Sequence, residues 1–324
     1  MNTAPLVVSA GDPAGVGPEI AVAAWRELRL DVPFAWIGDP RHLPHGTPVT
    51  EIEEVDQARG APGFPVLPHP FAAPATPGVP DPANAPATVA AIARGVDLVT
   101  SGAAGGLVTA PINKKVLIDG AGFAFPGHTE YLASLAGIDD VVMMLAAPAL
   151  RVVPATIHIP LADVPATLTT DGLTRTIRIT HAALIRDFGV AAPRIAVAGL
   201  NPHAGEGGAI GREEIEVITP TIAALQAEGL NVSGPHSGDT LFHPAARARY
   251  DAAIAMYHDQ ALIPIKTIDF EGGVNATLGL PFVRTSPDHG TAYDIAGKGR
   301  ADATSIIAAL RLAGEMVARR TAAE

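Results

Sequence analysis

Leu6-Val-Val-Ser9, Gly11-Asp-Pro-Ala-Gly15 and Pro18-Glu19 are the stretch from which the architecture of this chain is read. The first four residues read as a buried strand, and the glycine- and proline-punctuated segment as a tight turn. Pro18 and Glu19 then open a helix, where a missing N–H costs nothing and a carboxylate meets the positive end of the dipole. The same grammar recurs along the chain. Phe34–Ile37 predicts a strand closed by Gly38-Asp-Pro40, and a helix over Ala87–Gly95 leads to a strand at Gly106–Thr109. Thr170 predicts a helix cap, with Leu173, Ile177, Leu184 and Phe188 at near-helical spacing and Gly189 beyond the end. A strand at Ile195–Gly199, a helix announced by Gly211-Arg-Glu-Glu214, a strand at Ala252–Met256 and a terminal helix over Thr304–Arg319 complete the pattern. Apolar runs alternating with amphipathic helices define an α/β protein. The proline-crowded segment from Pro62 to Pro86 predicts irregular surface chain.

With 324 residues, 48% of them hydrophobic and 17% charged, the chain is globular and long enough for two domains. It has no cysteine, which excludes disulfides, thiolate nucleophiles and cysteine-held metal clusters, and fits a reducing, cytoplasmic setting. A formal net charge of −11 without a basic cluster argues against nucleic acid as a partner. No apolar run reaches the ~18 residues of a membrane span. Leu6–Ser9 lacks the basic flank of a secretory leader.

Residues able to do chemistry follow predicted strands, where open α/β sheets collect ligands. His158, His203 and His258 each stand at a strand–loop junction, and three imidazoles suit a divalent cation. Spacing alone favours hydrogen-bonded structural histidines over ligands, since no His-x-x-x-His pair occurs. Lys266, Asn275 and Arg284 offer two cations and a neutral donor to an anion. Salt bridges to Asp269 or Glu271 are the ordinary alternative for the lysine. His128 and Thr129 open a helix after Pro126, as anion donors or as a cap. No standard dinucleotide turn exists: Gly15-Val-Gly17 lacks the third glycine, and Gly297-Lys298 is followed by Gly299 and not by Ser or Thr.

Taken together, Gly11-Asp-Pro-Ala-Gly-Val-Gly-Pro-Glu19, Val108–Lys114, Pro126–Glu130, His158–Leu161, Leu200–Glu206, Gly211–Glu214, Gly234–Asp239 and Tyr257–Gly299 resemble the 4-hydroxythreonine-4-phosphate dehydrogenase family of vitamin B6 biosynthesis. His289-Gly-Thr-Ala-Tyr-Asp-Ile-Ala-Gly-Lys298 is also similar to the adenosine-binding loop of isopropylmalate and isocitrate dehydrogenases, which bind NAD without a Rossmann turn. The resemblance implies two α/β/α domains of that dehydrogenase type with a cleft between them. Residues 1–128 with 258–324 would form the cofactor side, and 129–257 the metal and dimer side. It implies His158, His203 and His258 as ligands of a divalent metal (zinc, magnesium or cobalt) shared across a homodimer interface. It further implies His128, Thr129, Lys266, Asn275 and Arg284 as substrate-binding residues, and Asp288, His289, Gly290, Thr291 and Asp294 on NAD or NADP. Asp239 and Asp259 are the carboxylates considered for proton transfer. The implied reaction oxidises a phosphorylated hydroxythreonine and decarboxylates the product. Relatives of this build act instead on phosphorylated threonate or erythronate or on carboxylated cis-dihydrodiols. A phosphate acyltransferase using coenzyme A is the alternative from another class.

Overall fold

The computed structural model describes residues 3–323. The chain forms two compact units, 1–139 with 280–324 and the uninterrupted run 140–279. The expected boundaries lay at 128/129 and 257/258. The observed return point comes later because the helix at His258–Ile268 packs on strands of the second unit, and Val274–Leu278 pairs antiparallel with Val142–Ala147.

In chain order, the first unit contributes β1 (Leu6–Ser9), α1 (Gly17–Leu28), β2 (Phe34–Gly38), β3 (Val49–Glu51), β4 (Phe64–Pro68), α2 (Ala85–Thr100), β5 (Gly106–Thr109), α3 (Lys114–Ala121) and α4 (His128–Ala136). The second holds β6 (Val142–Ala147), β7 (Leu150–Pro154), α5 (Val164–Thr167), α6 (Thr170–Arg186), β8 (Arg194–Ala198), α7 (Thr219–Ala227), β9 (Asn231–His236), α8 (Gly238–Leu241), α9 (Pro244–Arg247), β10 (Ala252–Ala255), α10 (His258–Ile268) and β11 (Val274–Leu278). β12 (Val283–Pro287) and α11 (Thr304–Ala323) return to the first unit.

Strands of the first unit run in the order β3-β4-β2-β1-β5-β12, all parallel. Every residue of β1, β2, β5 and β12 is buried, which is why β1 and β2 read as nearly continuous apolar runs and not as alternating ones; β12 is buried despite its polar Arg284, Thr285 and Ser286. α2 packs on β1 and β5, and α11 on β12 and β5. α1 buries Ile20, Trp25 and Leu28, each worth roughly 1.5–3 kcal/mol of transfer free energy. The order reverses direction between β1 and β5, so the carboxyl ends of these two strands are the place where an open α/β sheet binds ligands.

The proline-rich segment departs from expectation. It contains β4, buried from Phe64 to Leu67 and flanked by β2 and β3. Its partner β3 is only three residues long, so a strand carrying Pro65 and Pro68 needs few ladder bonds on that side.

In the second unit the order is β11-β6-β7-β10-β8-β9, with β11, β6 and β7 antiparallel in succession and β7, β10, β8 and β9 parallel. Leu173, Ile177 and Leu184 of α6 are buried as their spacing predicts. Its cap is Thr169, whose hydroxyl accepts from the Gly172 N–H at 3.1 Å; Thr170 is the first helical residue. The helix expected over 87–95 runs in full from Ala85 to Thr100.

Candidate active site

At the carboxyl edge of the first unit, β5 ends on Thr109 and its Oγ1 accepts from Arg284 Nη2 at 2.6 Å. Arg284 projects from β12 and is only 2% exposed, a cation almost wholly removed from water. Burial brings its pKa down to about 10, so the guanidinium stays charged at neutral pH. His128, the first residue of α4, is half-buried, but its Nε2 is closed to solvent and meets no hydrogen-bond partner among the described residues. Burial, and then the charge of Arg284, hold the imidazole well below its ordinary pKa. It is therefore neutral. Thr129 does not cap α4: the cap position is Gly127, with no side-chain bond, so the first-turn N–H groups have no side-chain acceptor there. A buried cation, an orphaned ring nitrogen and a helix start open to an acceptor together suit an anionic group.

The loop after β12 lies on the opening motif of the chain. Val16 N–H donates to the Thr291 carbonyl at 3.0 Å, and a Cβ on Gly15 would stand 2.9 Å from the same oxygen. Tyr293 donates to Asp12 Oδ2 at 2.5 Å, and burial followed by that bond pushes its hydroxyl well above the usual range. Glu19 accepts from the N–H groups of Gly297 and Gly299 at 2.7 and 2.9 Å. The proline-rich segment adds Pro77 and Gly78, with Gly78 N–H donating to Ala14 at 2.8 Å and Pro77 close against Gly297. Thr291 is buried, while His289, Gly290 and Asp294 are exposed and Asp288 is half-buried. Space stands open where a Cβ on Gly290 would lie, leaving backbone accessible to a ligand. This held loop fits a nucleotide cofactor.

In the second unit the spatial strand order sets the order of side chains. β7, β10, β8 and β9 run parallel, so the segments bearing His158, His258, His203 and Asp239 leave one edge in that sequence. Gln260 ties two of them, accepting from Met256 N–H at 2.6 Å and donating to the Gly199 carbonyl at 2.8 Å. The rings of His158 and His258 lie 5.6 Å apart and line a cavity of about 270 Å³ with Tyr257 and Asp259. A second cavity of about 450 Å³ holds His203 and Asp239 and shares Tyr257 and Asp259 with the first. Asp259 Oδ1 stands 2.7 Å from His258 Nδ1, which leaves Nε2 as the outward nitrogen. Asp239 accepts from the Ser237 hydroxyl at 2.6 Å, and that bond above all holds its carboxyl below the ordinary pKa.

His158 and His203 both have left-handed backbone, with φ of 48° and 52°. Around His203 the conformation persists through Ala204, Gly205, Glu206 and Gly207. Three of these five are not glycine, and each such residue costs roughly 1–2 kcal/mol. Strain of this kind gathers where a side chain must be aimed. The donor chemistry suits a divalent cation, yet among the described residues no group of three His, Asp or Glu converges within one chain. The expected trio therefore resolves into a pair, His158 with His258, and a third imidazole in the adjoining cavity.

Lys266 lies on α10 with its Nζ 5.3 Å from the Phe270 ring centre, and Asn275 on β11 has a buried Oδ1 with no hydrogen-bond partner among the described residues. Thr109, Glu19, Tyr293 and Gln260 lay inside the quoted motifs but received no site role from the sequence. Apart from the Met256–Gln260 bond their partners are distant in the chain, and no local pattern marks them.

The architecture and the relatives it shares define an α/β dehydrogenase. A protein of Ruegeria sp. (strain TM1040) named 4-hydroxythreonine-4-phosphate dehydrogenase is 63% identical over 324 residues, covering 99% of both chains. The crystal structure of the enzyme of that name from Klebsiella pneumoniae matches at a TM-score of 0.87 and 36% identity, covering 97% of this chain and 100% of that one. A terephthalate 1,2-cis-dihydrodiol dehydrogenase from Burkholderia xenovorans LB400 matches at 0.67 and 28%, covering 97% and 98%. The family described as pyridoxal phosphate biosynthetic protein PdxA matches residues 31–313, and the chain belongs to it.

Proposed function

We propose that the chain oxidises 4-phosphooxy-L-threonine (4-hydroxythreonine 4-phosphate) with NAD or NADP and a divalent metal, as a cytoplasmic homodimer serving pyridoxal 5′-phosphate biosynthesis. The β-keto acid so formed loses CO2 to give 3-amino-2-oxopropyl phosphate. The observation that carries this reading is the buried guanidinium of Arg284 beside neutral His128, a site that asks for an anion. His128, Thr129, Lys266, Asn275 and Arg284 meet the substrate's phosphate and carboxylate. Asp288, His289, Gly290, Thr291 and Asp294 hold the cofactor.

His158, His203 and His258, drawn from two subunits, would hold a divalent cation (zinc, magnesium or cobalt) that would supply Lewis-acid stabilisation of the oxygen being oxidised, and a bound nicotinamide would supply the hydride acceptor for C3. Asp259 turns the outward nitrogen of His258 to its task. Asp239, whose carboxyl is held below its ordinary pKa, is the carboxylate to which this reading gives the hydroxyl proton, with Asp259 as the alternative. In the second step the C–C bond to the carboxylate breaks, its electron pair passes towards the new carbonyl while CO2 leaves, and a proton from solvent adds to the carbon to give the ketone.

No helix among the described residues is long and apolar enough to cross a membrane. The likeness to a cis-dihydrodiol dehydrogenase supports a second reading, a carboxylated diol as substrate, because arginine binds carboxylate as well as phosphate. A side-by-side assay separates the two. NADH is expected from the phosphorylated hydroxythreonine, abolished by chelator and by His203→Ala. Turnover only of the diol would overturn the substrate assignment, and activity that survives chelation would overturn the metal.

A further inference from the structure

We infer that Glu214 is a positioning residue for His203, its carboxylate pinning the left-handed turn that presents the imidazole. This rests on the reading of His203 as a metal ligand. Glu214 is only 2% exposed, at the start of a π-helical turn over Glu214–Ile218. One oxygen accepts from the Asn201 N–H at 2.7 Å, and the other from Asn201 Nδ2 at 2.9 Å. Asn201 is the last residue before the turn, and its carbonyl accepts from Ala204 N–H at 3.1 Å. The carboxylate thus holds the residue from which the turn springs by both backbone and side chain.

Two glycines make room for it. A Cβ on Gly205, inside the turn, would lie 2.6 Å from Glu214 Oε2, and one on Gly199 would lie 3.1 Å from Oε1. Gly211 is cleared in the same way for the Asn201 amide, where a Cβ would come within 2.3 Å of Nδ2. A buried carboxyl group, glycine clearance and a run of left-handed residues converge on one loop, and of the left-handed residues 203–207 His203 is the one that lines the cavity with Asp239. Packing alone would not require a carboxylate here. A π turn that brings its first residue inward at this place is a recurrent mark of functional loops.

The test titrates the full-length, metal-free protein with cobalt(II), reading visible absorption and chelator competition, for wild type, Glu214→Gln, Asn201→Ala, Glu213→Gln and His203→Ala. Glu214→Gln sets an amide donor against the donors of Asn201. It is expected to weaken cobalt affinity on the order of 10- to 100-fold, with an altered spectrum and a near-unchanged unfolding temperature. Should that variant fail to fold, Asn201→Ala read beside Glu213→Gln decides, since Nδ2 donates to Glu213 at 2.6 Å as well as to Glu214 and the backbone bond to Glu214 is left in place. Wild-type affinity and spectrum in the folded Glu214 and Asn201 variants, with affinity lost in His203→Ala, would overturn the inference and leave the ligand reading standing. Wild-type binding in His203→Ala would overturn the ligand reading, and the inference with it.

Discussion

Arg284 keeps its charge in a place with almost no water, and its Nη2 bond to Thr109 fixes how the guanidinium faces the end of β5. Such a group is effective on an anion because the desolvation has already been met in folding. Lysine would retain the charge but lose the planar fork. Arg284→Lys is therefore expected to raise KM for the phosphorylated substrate on the order of 10- to 100-fold, the loss of one charged hydrogen bond, and to leave KM for the nicotinamide cofactor unchanged. Steady-state kinetics in both substrates checks this, and a substrate KM within twofold of wild type would refute it. His128 acts beside it as a neutral ring, so it can accept or donate a hydrogen bond but adds no second charge to the site.

The turn at Pro77 and Gly78 shows that an irregular segment can serve as a brace. Gly78 has a φ of 82°, and a Cβ there would sit 2.8 Å from the Tyr293 carbonyl oxygen. Gly78→Val therefore strains the turn and pushes on the loop 288–299. The expected result is a rise of roughly fivefold or more in KM for the cofactor, with KM for the phosphorylated substrate unmoved; equal rises in both would contradict it. Parallel strands such as β1, β2 and β10 were readable because they are buried on both faces and leave an unbroken apolar run. β4 was hidden by its prolines. The histidines were legible as residue types at strand ends, whereas their spatial order follows the crossovers of β7, β10, β8 and β9, which no local pattern encodes. Glu19 and Glu214 read from sequence as acids at helix starts. Glu19 reaches residues 278 and 280 positions away, and that reach left no trace in its neighbourhood.

Across the molecule, partial or full burial lowers the pKa of several histidines: half-buried His128, His69 and His236, and buried His42. Above the unfolded value of 6.5 these rings are neutral whether folded or not, and they exert no pull. Below it the unfolded chain takes up protons that the folded chain refuses, so stability is lost as pH falls from 6.5 towards the folded values. His128→Gln is expected to lessen that loss by up to about 1.4 kcal/mol per pH unit, one proton's share. Urea unfolding between pH 7.5 and 5 measures it, and an unchanged slope would argue against a neutral His128. The division of the chain has a different consequence, for synthesis. The run 140–279 leaves the ribosome with all its strands while the first unit still lacks β12 and α11. Until β12 emerges, β5 is an open edge, the kind of surface that recruits stray strands from other nascent chains. A chain stalled near residue 279 holds every strand of the run 140–279 but still lacks the strand that covers β5.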